Sequence, residues 1–239
     1  LDGLVDAVAA HDADLGIAND GDADRLAVVT PDRGFLDENL FFAAVYDALL
    51  AADAGPAVRT VSTTFLIDRV ADAHGEDVVE TPVGFKWVAE AMVEHDALMG
   101  GEESGGFSIR GHVPEKDGVL MALLAADVAG TESLDDRVDR LLDAHGDVVA
   151  DKVSVDCPDD RKAAVIDALG GDIPDAVAGR AVEDVVTLDG FKLLCSDGSW
   201  LLVRPSGTEP KMRVYAEAAS RDRVEAILDE GRELVASLV

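Results

Sequence analysis

The 239-residue sequence contains 49 acidic and 20 basic residues, which gives a formal net charge of -29. Such a charge repels nucleic acid and anionic membrane, so neither is an expected partner. Hydrophobic residues make up 48% of the chain, but the longest apolar run, 119–126, is too short to span a bilayer. These features predict a globular, cytoplasmic protein.

The acidic balance is accompanied by few lysines, six among the 20 basic residues. A solvated Asp and Glu surface suits a protein that stays soluble in molar salt, where the Debye length is only about 3 Å. We therefore expect a halophilic protein, with an ordinary acidic protein as the alternative. Cys157 and Cys195 lie far apart without CxxC or zinc-type spacing, so both are expected to be buried apolar groups.

The opening residues predict a helix over 1–10, followed by strands over 15–18 and 26–30. The pattern starts abruptly, so residues 1–33 are expected to be the end of a domain. Residues 34–146 alternate helices and strands, which predicts a mostly parallel sheet with helices packed on it. The predicted helices cover 40–52, 65–74, 85–95, 118–128 and 134–144, and the strands 58–61, 77–79 and 97–99.

The pattern changes after residue 146. Consecutive strands joined by short turns predict an antiparallel sheet with helices on one side. These strands cover 152–155, 181–188, 191–195, 200–203 and 212–216, and the helices 161–169 and 222–238. The predicted fold class is α/β, with a partial α/β domain over 1–33, a complete α/β domain over 34–146 and an α+β domain over 147–239.

Three loops contain the side chains that could carry chemistry. The first, NDGDADR at 19–25, places Asp20, Asp22 and Asp24 at alternate positions. In an extended segment alternate side chains point the same way, so the three carboxylates are expected to converge on a cation. Magnesium fits, because it is a hard ion that prefers oxygen ligands.

Three other interpretations of this loop compete with a magnesium site. An EF-hand needs Gly at its sixth position and Glu at its twelfth, where this chain has Arg25 and Pro31, so that interpretation is poor. A phosphatase of the haloacid-dehalogenase type also begins with a strand and closely spaced Asp residues, but it leaves Arg25 and the later loops unexplained. The third interpretation is a solvated acidic turn.

The second loop, GGEESGG at 100–106, follows a short predicted strand. Its glycines permit close approach of a ligand, and Glu102 and Ser104 offer the acceptors and hydroxyl that vicinal sugar hydroxyls require. The third loop, RPSGTEPKMR at 204–213, combines guanidinium groups, hydroxyls and backbone amides at a glycine, which together suit a phosphate. A plain loop and a hairpin turn with surface charges are the respective alternatives.

Together these loops resemble the motifs of the alpha-D-phosphohexomutase superfamily, and specifically its phosphoglucomutase/phosphomannomutase branch. NDGDADR is similar to that family's magnesium loop, GGEESGG to its sugar-selecting loop and RPSGTEPKMR to its phosphate-binding loop. TPVGFKW at 81–87 resembles the loop that contributes an active-site Lys. With the acidic composition, a haloarchaeal member of the family is expected.

The resemblance implies a hexose-phosphate mutase, an isomerase in which a phosphoserine, Mg2+ and a hexose 1,6-bisphosphate intermediate exchange the 1- and 6-phosphates. It also implies the end of domain two, a three-layer α/β domain three and an α+β domain four. The implied metal ligands are Asp20, Asp22 and Asp24, and the implied catalytic residues are Arg25 and Lys86. Glu102 and Ser104 would bind the sugar, and Arg204, Ser206, Gly207, Thr208 and Arg213 the phosphate that is not transferred.

The family's serine nucleophile lies in a Thr-Ala-Ser-His-Asn type of segment, which has no counterpart in this chain. Ser62 precedes a predicted helix and is expected to cap it. We therefore expect the chain to bind metal and sugar phosphate without catalysing the reaction alone. It is either part of a complete mutase or a naturally short binding module. Among possible substrates the resemblance favours glucose phosphate, with mannose phosphate second and glucosamine phosphate also open.

Overall fold

The computed structural model describes all residues, Leu1–Val239, which form two compact units, Leu1–Gly146 and Asp147–Val239. The helices are α1 Asp2–His11, α2 Glu38–Leu50, α3 Leu66–His74, α4 Phe85–Glu94, α5 Gly118–Ala129, α6 Leu134–His145, α7 Asp159–Gly171 and α8 Arg221–Leu238. The strands of the first unit are β1 Gly16–Asn19, β2 Leu26–Thr30, β3 Gly34–Leu36, β4 Ala57–Thr60, β5 Val78–Thr81, β6 Met99–Gly101 and β7 Phe107–Ile109. Those of the second are β8 Val149–Asp156, β9 Ala176–Val177, β10 Arg180–Val186, β11 Phe191–Cys195, β12 Trp200–Pro205 and β13 Lys211–Ala218.

The first unit contains two sheets. Strands β1, β2 and β3 form an antiparallel meander. The second sheet has the order β5-β4-β6-β7, in which β4 pairs in parallel with β5 and β6, and β7 is antiparallel. Residues 1–33, suggested above as the end of a preceding domain, lie in the same compact unit as residues 34–146.

Helix α2 supplies much of the core of the first unit, since it is apolar around most of its circumference. Phe42, Val45 and Tyr46 are fully buried, and the rings of Phe41 and Phe107 lie 5.4 Å apart, centroid to centroid. Burial of aromatic side chains of this size is a major source of stability. The contact fixes strand β7, and with it the loop 100–106 that precedes the strand.

The second unit is a six-stranded antiparallel sheet with the order β8-β13-β12-β11-β10-β9. Alternate residues of β12 and β13, including Leu201 and Val214, pack with Val165 of α7 and Ile227 of α8 in one core. A strand buried on one face in this way shows an alternation of period two. Cys157 and Cys195 belong to the same core and are free thiols, which confirms that they serve as small apolar groups.

The predicted fold class is confirmed, and the sequence pattern located most elements to within a few residues. It missed three short strands, β3, β7 and β9, which have two or three residues each. Segments of that length are too short to show an alternation, and pairing with a neighbouring strand defines them. None of the helices combines the length and the apolar composition that spanning a bilayer requires.

Candidate functional site

The loop 19–25 is a turn, and the extended conformation expected for it is wrong. Asn19 pairs with Leu26 at the end of the antiparallel β1–β2 ladder, so the chain must reverse direction between them. Ala23 has a left-handed backbone with φ of 59°, and its N–H donates to the carbonyl of Asp20 over 3.1 Å. Alternation along a strand therefore does not orient the three Asp side chains.

The three Asp side chains of this loop are placed differently. Asp20 and Asp22 are exposed, whereas Asp24 is half-buried and its Oδ2 lies 3.2 Å from the ammonium nitrogen of Lys116. Nowhere in the chain are three or more His, Cys, Asp or Glu side chains gathered to hold a metal ion. The donor set still fits a hard cation, because it is made of carboxylate oxygens and one of them already faces a positive charge.

Lys116 is a residue that the sequence analysis missed. It follows Glu115, with which it forms an ion pair of 2.9 Å, and its side chain is 15% exposed. Burial acts to lower the pKa of Lys116, but hydrogen bonds to Glu115 and Asp24 outweigh it and raise that pKa. Two features of the sequence could have indicated Lys116. It is one of only six lysines, and it precedes Asp117, whose side chain caps α5 by accepting from the N–H groups of Val119 and Leu120.

The loop 100–106 forms a tight hairpin between β6 and β7. The Glu102 N–H donates to the Gly106 carbonyl over 3.0 Å, and the Gly105 N–H donates to the Glu102 carbonyl over 3.2 Å. Gly105 has φ of 86°, which favours glycine. The turn leaves Ser104 half-buried, while the side chain of Glu102 is buried.

Three of the predicted loops meet in the first unit. The Leu26 N–H donates to the Gly105 carbonyl over 3.0 Å, and Arg25 and Gly106 form an isolated antiparallel bridge. The Gly84 N–H, from the loop 81–87, donates to Glu102 Oε1 over 3.0 Å. Hydrogen bonds from the backbone thus join the loop of Asp24, the loop of Lys86 and the loop of Glu102 in one place.

Glu102 and Glu103 have different surroundings. Burial, followed by the charge of Glu103, raises the pKa of the Glu102 carboxyl above its ordinary value. Glu103 instead accepts a hydrogen bond of 2.7 Å from the hydroxyl of Ser62, which is buried. The expectation that Ser62 caps α3 is wrong: the helix starts after Phe65 with no side-chain cap, and the Ser62 hydroxyl holds the loop 100–106 instead.

The two predicted catalytic residues of this unit have exposed side chains, and the backbone N–H of Arg25 donates to Asp20 Oδ1 over 3.4 Å. Lys86 is exposed, and its ammonium lies 4.0 Å from the centroid of the Trp87 ring. It lines a surface cavity of about 500 Å³ together with Glu90 and Glu115. The Arg25 side chain is 52% exposed, with its Nε 4.0 Å from Asp24.

The third loop connects β12 to β13 in the second unit. The Ser206 N–H donates to the Lys211 carbonyl over 2.9 Å, and Arg204 Nε donates to Asp189 over 2.8 Å. Arg213 donates to Glu209 and to the Ser154 hydroxyl. Gly207 and Thr208 form the exposed tip of the loop. The Lys211 ammonium lies 3.4 Å from a carboxylate oxygen of Glu209.

Models of known families match both units. The phosphoglucomutase/phosphomannomutase alpha/beta/alpha domain III model matches residues 37–145, and the C-terminal domain model of the same family matches residues 153–234. Together they cover most of the chain. The chain therefore belongs to the phosphoglucomutase/phosphomannomutase family.

Curated relatives agree with this assignment. A Thermococcus kodakarensis protein named phosphoglucomutase/phosphomannomutase is 33% identical, over 98% of this chain and 50% of its own length. A Methanothermobacter thermautotrophicus protein described as a phosphoglucosamine mutase is 32% identical, over 100% of this chain and 51% of its own length. The chain thus spans about half the length of the curated relatives it matches. They come from other archaea, so the haloarchaeal type stays a prediction.

Solved structures share the fold. A Thermus thermophilus structure described as a phosphomannomutase has a TM-score of 0.76 and 33% identity, covering 93% of this chain and 46% of that one. An Aspergillus fumigatus N-acetylphosphoglucosamine mutase, solved in complex with GlcNAc-6P and magnesium, has a TM-score of 0.60. At 18% identity, over 97% of this chain and 56% of its own, the latter shows the fold alone.

Proposed function

We propose that the protein is a hexose-phosphate mutase that interconverts sugar 1- and 6-phosphates, with this chain supplying its metal-binding, sugar-binding and phosphate-binding loops. The observation that carries the proposal is the convergence of three loops in the first unit, joined by the bond from Leu26 to Gly105 and the bond from Gly84 to Glu102. Membership of the family supports the same reaction class.

The site residues of the first unit would have three roles: binding the metal, adding positive charge and binding the sugar. Mg2+ held by Asp20, Asp22 and Asp24 would neutralise charge on a transferring phosphoryl group. The Lys116 ammonium lies 3.2 Å from Asp24 and balances the charge of that carboxylate. A bound ion would replace the ammonium beside Asp24. Arg25 and Lys86 would add positive charge near the reacting group, and Glu102 and Ser104 would bind sugar hydroxyls.

In the second unit, Arg204, Ser206, Gly207, Thr208 and Arg213 would hold the phosphate that is not transferred. A guanidinium, hydroxyls and backbone amides are all donors to phosphate oxygens. The reaction would proceed through a hexose 1,6-bisphosphate and a phosphoserine. Since the chain contains no Thr-Ala-Ser-His-Asn type of segment, we expect it to bind hexose phosphate without turnover when assayed alone.

We infer glucose phosphate as the preferred substrate, followed by mannose phosphate. Phosphoglucosamine mutase is a second candidate, because several similar archaeal proteins carry that description, among them the Methanothermobacter relative. A binding module without catalysis is the remaining alternative. Calorimetric titration with glucose, mannose and glucosamine 6-phosphates distinguishes the substrates by their order of affinity.

Binding and turnover are tested separately. Arg204→Met is expected to weaken glucose 6-phosphate binding at least tenfold, because hydrogen bonds to charged groups contribute roughly 1.5 to 3 kcal/mol. The matched control is Arg232→Met, which removes an exposed Arg–Asp pair on α8 and should leave binding unchanged. Wild-type chain that binds no hexose phosphate overturns the proposed function.

The turnover assay incubates the chain with glucose 1-phosphate, Mg2+ and catalytic glucose 1,6-bisphosphate, and follows glucose 6-phosphate. The expected result is no product above the rate without protein. Product that disappears in Ser62→Ala or Ser104→Ala would show a nucleophile within these 239 residues and contradict the expected inactivity.

A further inference from the structure

Lys162, on the first turn of α7, holds the loop 204–213 through two backbone carbonyls. Its ammonium donates to the Ser206 carbonyl over 2.7 Å and to the Glu209 carbonyl over 2.6 Å, and it lies 2.6 Å from a carboxylate oxygen of Asp159. An ammonium has three N–H donors, so these three acceptors satisfy it completely. The side chain is 12% exposed, and the geometry fixes it in one position.

We infer that Lys162 is a positioning residue that turns the backbone N–H group of Gly207 outward to bind a phosphate oxygen. This inference rests on the proposed function, because it assigns how the same loop recognises the phosphate. It concerns a residue of α7, 44 positions before Ser206 in the chain, outside the loop motif itself.

The contact with Lys162 sets the direction of the peptide group between Ser206 and Gly207. All peptide bonds in the chain are trans, and in a planar trans peptide the C=O and N–H bonds point in opposite directions. Since the Ser206 carbonyl points to Lys162, the N–H of Gly207 must point away from α7. A second contact fixes the other end of the loop, where the Pro210 carbonyl accepts a hydrogen bond from the N–H of Cys157 over 2.9 Å.

Some backbone donors of the loop are satisfied within the protein and others are not. The Ser206 N–H donates to Lys211 and the Glu209 N–H donates to the Ser206 hydroxyl over 3.2 Å. The N–H groups of Gly207 and Thr208 donate to no acceptor in the protein, and both residues lie at the surface. The unsatisfied N–H of Gly207, directed away from α7 at the exposed tip of the loop, can donate to an anionic oxygen.

Lys162 acts on the loop through orientation and not through net charge. Asp159 lies as close to the Lys162 ammonium as the two carbonyls do, so the pair carries no net charge toward the loop. Its long-range attraction for a phosphate is correspondingly small. The contribution of Lys162 is therefore to fix the peptide planes before the anion arrives, which lowers the ordering cost of binding.

The test uses the full chain and two probes, inorganic phosphate and glucose 6-phosphate, titrated by calorimetry. Lys162→Met keeps the aliphatic stem and removes the donors, and it should weaken the affinity for both probes about tenfold. Lys162→Arg can still donate to both carbonyls and should stay within about threefold of wild type. The control is Arg161→Met, the same loss of charge at an exposed neighbouring position without a side-chain contact.

A spectroscopic readout distinguishes positioning from general stabilisation. In wild type, phosphate should shift the amide ¹H–¹⁵N signal of Gly207, and in Lys162→Met this shift should be lost although the spectrum remains that of a folded protein. If the Met variant does not fold, Lys162→Gln, which can donate to one carbonyl, must bind phosphate more weakly than wild type.

The outcomes separate the two proposals. Wild-type chain that binds neither probe overturns the proposed function and this inference with it. Wild-type chain that binds, together with a Lys162→Met variant of equal affinity and an unchanged Gly207 shift, overturns the inference alone. Equal losses in Arg161→Met and Lys162→Met would show a charge effect and also overturn it.

Discussion

At the scale of single residues, burial raises the pKa of the Glu102 carboxyl, and the negative charge of Glu103 raises it further. A raised pKa means that the folded chain binds the proton more readily than the unfolded chain does. The stability contribution is therefore fully present below the unfolded pKa, about 4.3, and is lost as pH rises through the folded value.

Glu102→Gln removes this titration while keeping an acceptor for the Gly84 N–H. The thermal midpoint of the variant should exceed that of wild type by a few degrees at pH 7, and the difference should vanish below about pH 4. Measurements across pH in constant molar KCl provide the check. Glu90→Gln, at a surface position of α4, should show no such dependence, and a constant difference for Glu102→Gln at all pH values would contradict the argument.

Asp22 and Asp24 are the loop carboxylates whose role in Mg2+ binding can be tested by substitution. The loop 19–25 resembles the family's magnesium loop and offers carboxylate oxygens, the ligands that Mg2+ prefers, so it should bind Mg2+. Calorimetry should detect binding in wild type and little or none in Asp22→Asn combined with Asp24→Asn. Asp12→Asn with Asp14→Asn changes two exposed carboxylates outside the loop and should have no effect. Undiminished binding in the loop variant would exclude these residues as ligands.

At the scale of elements, the start of α5 packs directly on the loop 19–25. A Cβ added to Gly118 would lie 2.4 Å from the carbonyl oxygen of Arg25 and 2.4 Å from the Asn19 amide nitrogen. The first of these atoms belongs to the backbone, so relief requires α5 or the loop to move. The same contact is supported by the Gly118 N–H, which donates to the Ala23 carbonyl over 3.0 Å.

Gly118→Ala is therefore expected to destabilise the chain by about 1 to 3 kcal/mol, the usual cost of overpacking. It should also weaken Mg2+ binding, because the loop is displaced. Urea unfolding and calorimetry measure the two effects. Gly3→Ala is the control: nothing lies within 4 Å of the added Cβ in α1, and helix propensity predicts a gain of up to about 1 kcal/mol. A neutral Gly118→Ala would mean that the contact is looser than described.

At the scale of the whole molecule, a net charge of -29 produces self-repulsion that salt can screen. The thermal midpoint should rise by several degrees between about 0.1 M and 2 M KCl. The rise should be steepest at the low end, where the Debye length falls from about 10 Å toward 3 Å. A midpoint that stays flat or falls with KCl would remove the halophilic interpretation.

The sequence by itself determined the order of helices and strands, because a period of 3.6 or 2 is a property of neighbouring residues. It also determined the family, because each motif is contiguous: NDGDADR, TPVGFKW, GGEESGG and RPSGTEPKMR each lie within one short segment. The residues expected in the candidate site came from these motifs, and none lay outside them.

The tertiary structure decided which loops meet and which residues support them. Lys116 reaches Asp24 across 92 positions, Ser62 reaches Glu103 across 41 and Lys162 reaches Ser206 across 44. Such pairs leave no periodic signal, since a hydrogen bond between distant residues depends on how the sheets and helices bring them together. For the same reason the turn at Ala23 replaced the expected extended segment: the antiparallel pairing of β1 and β2 requires the chain to reverse there.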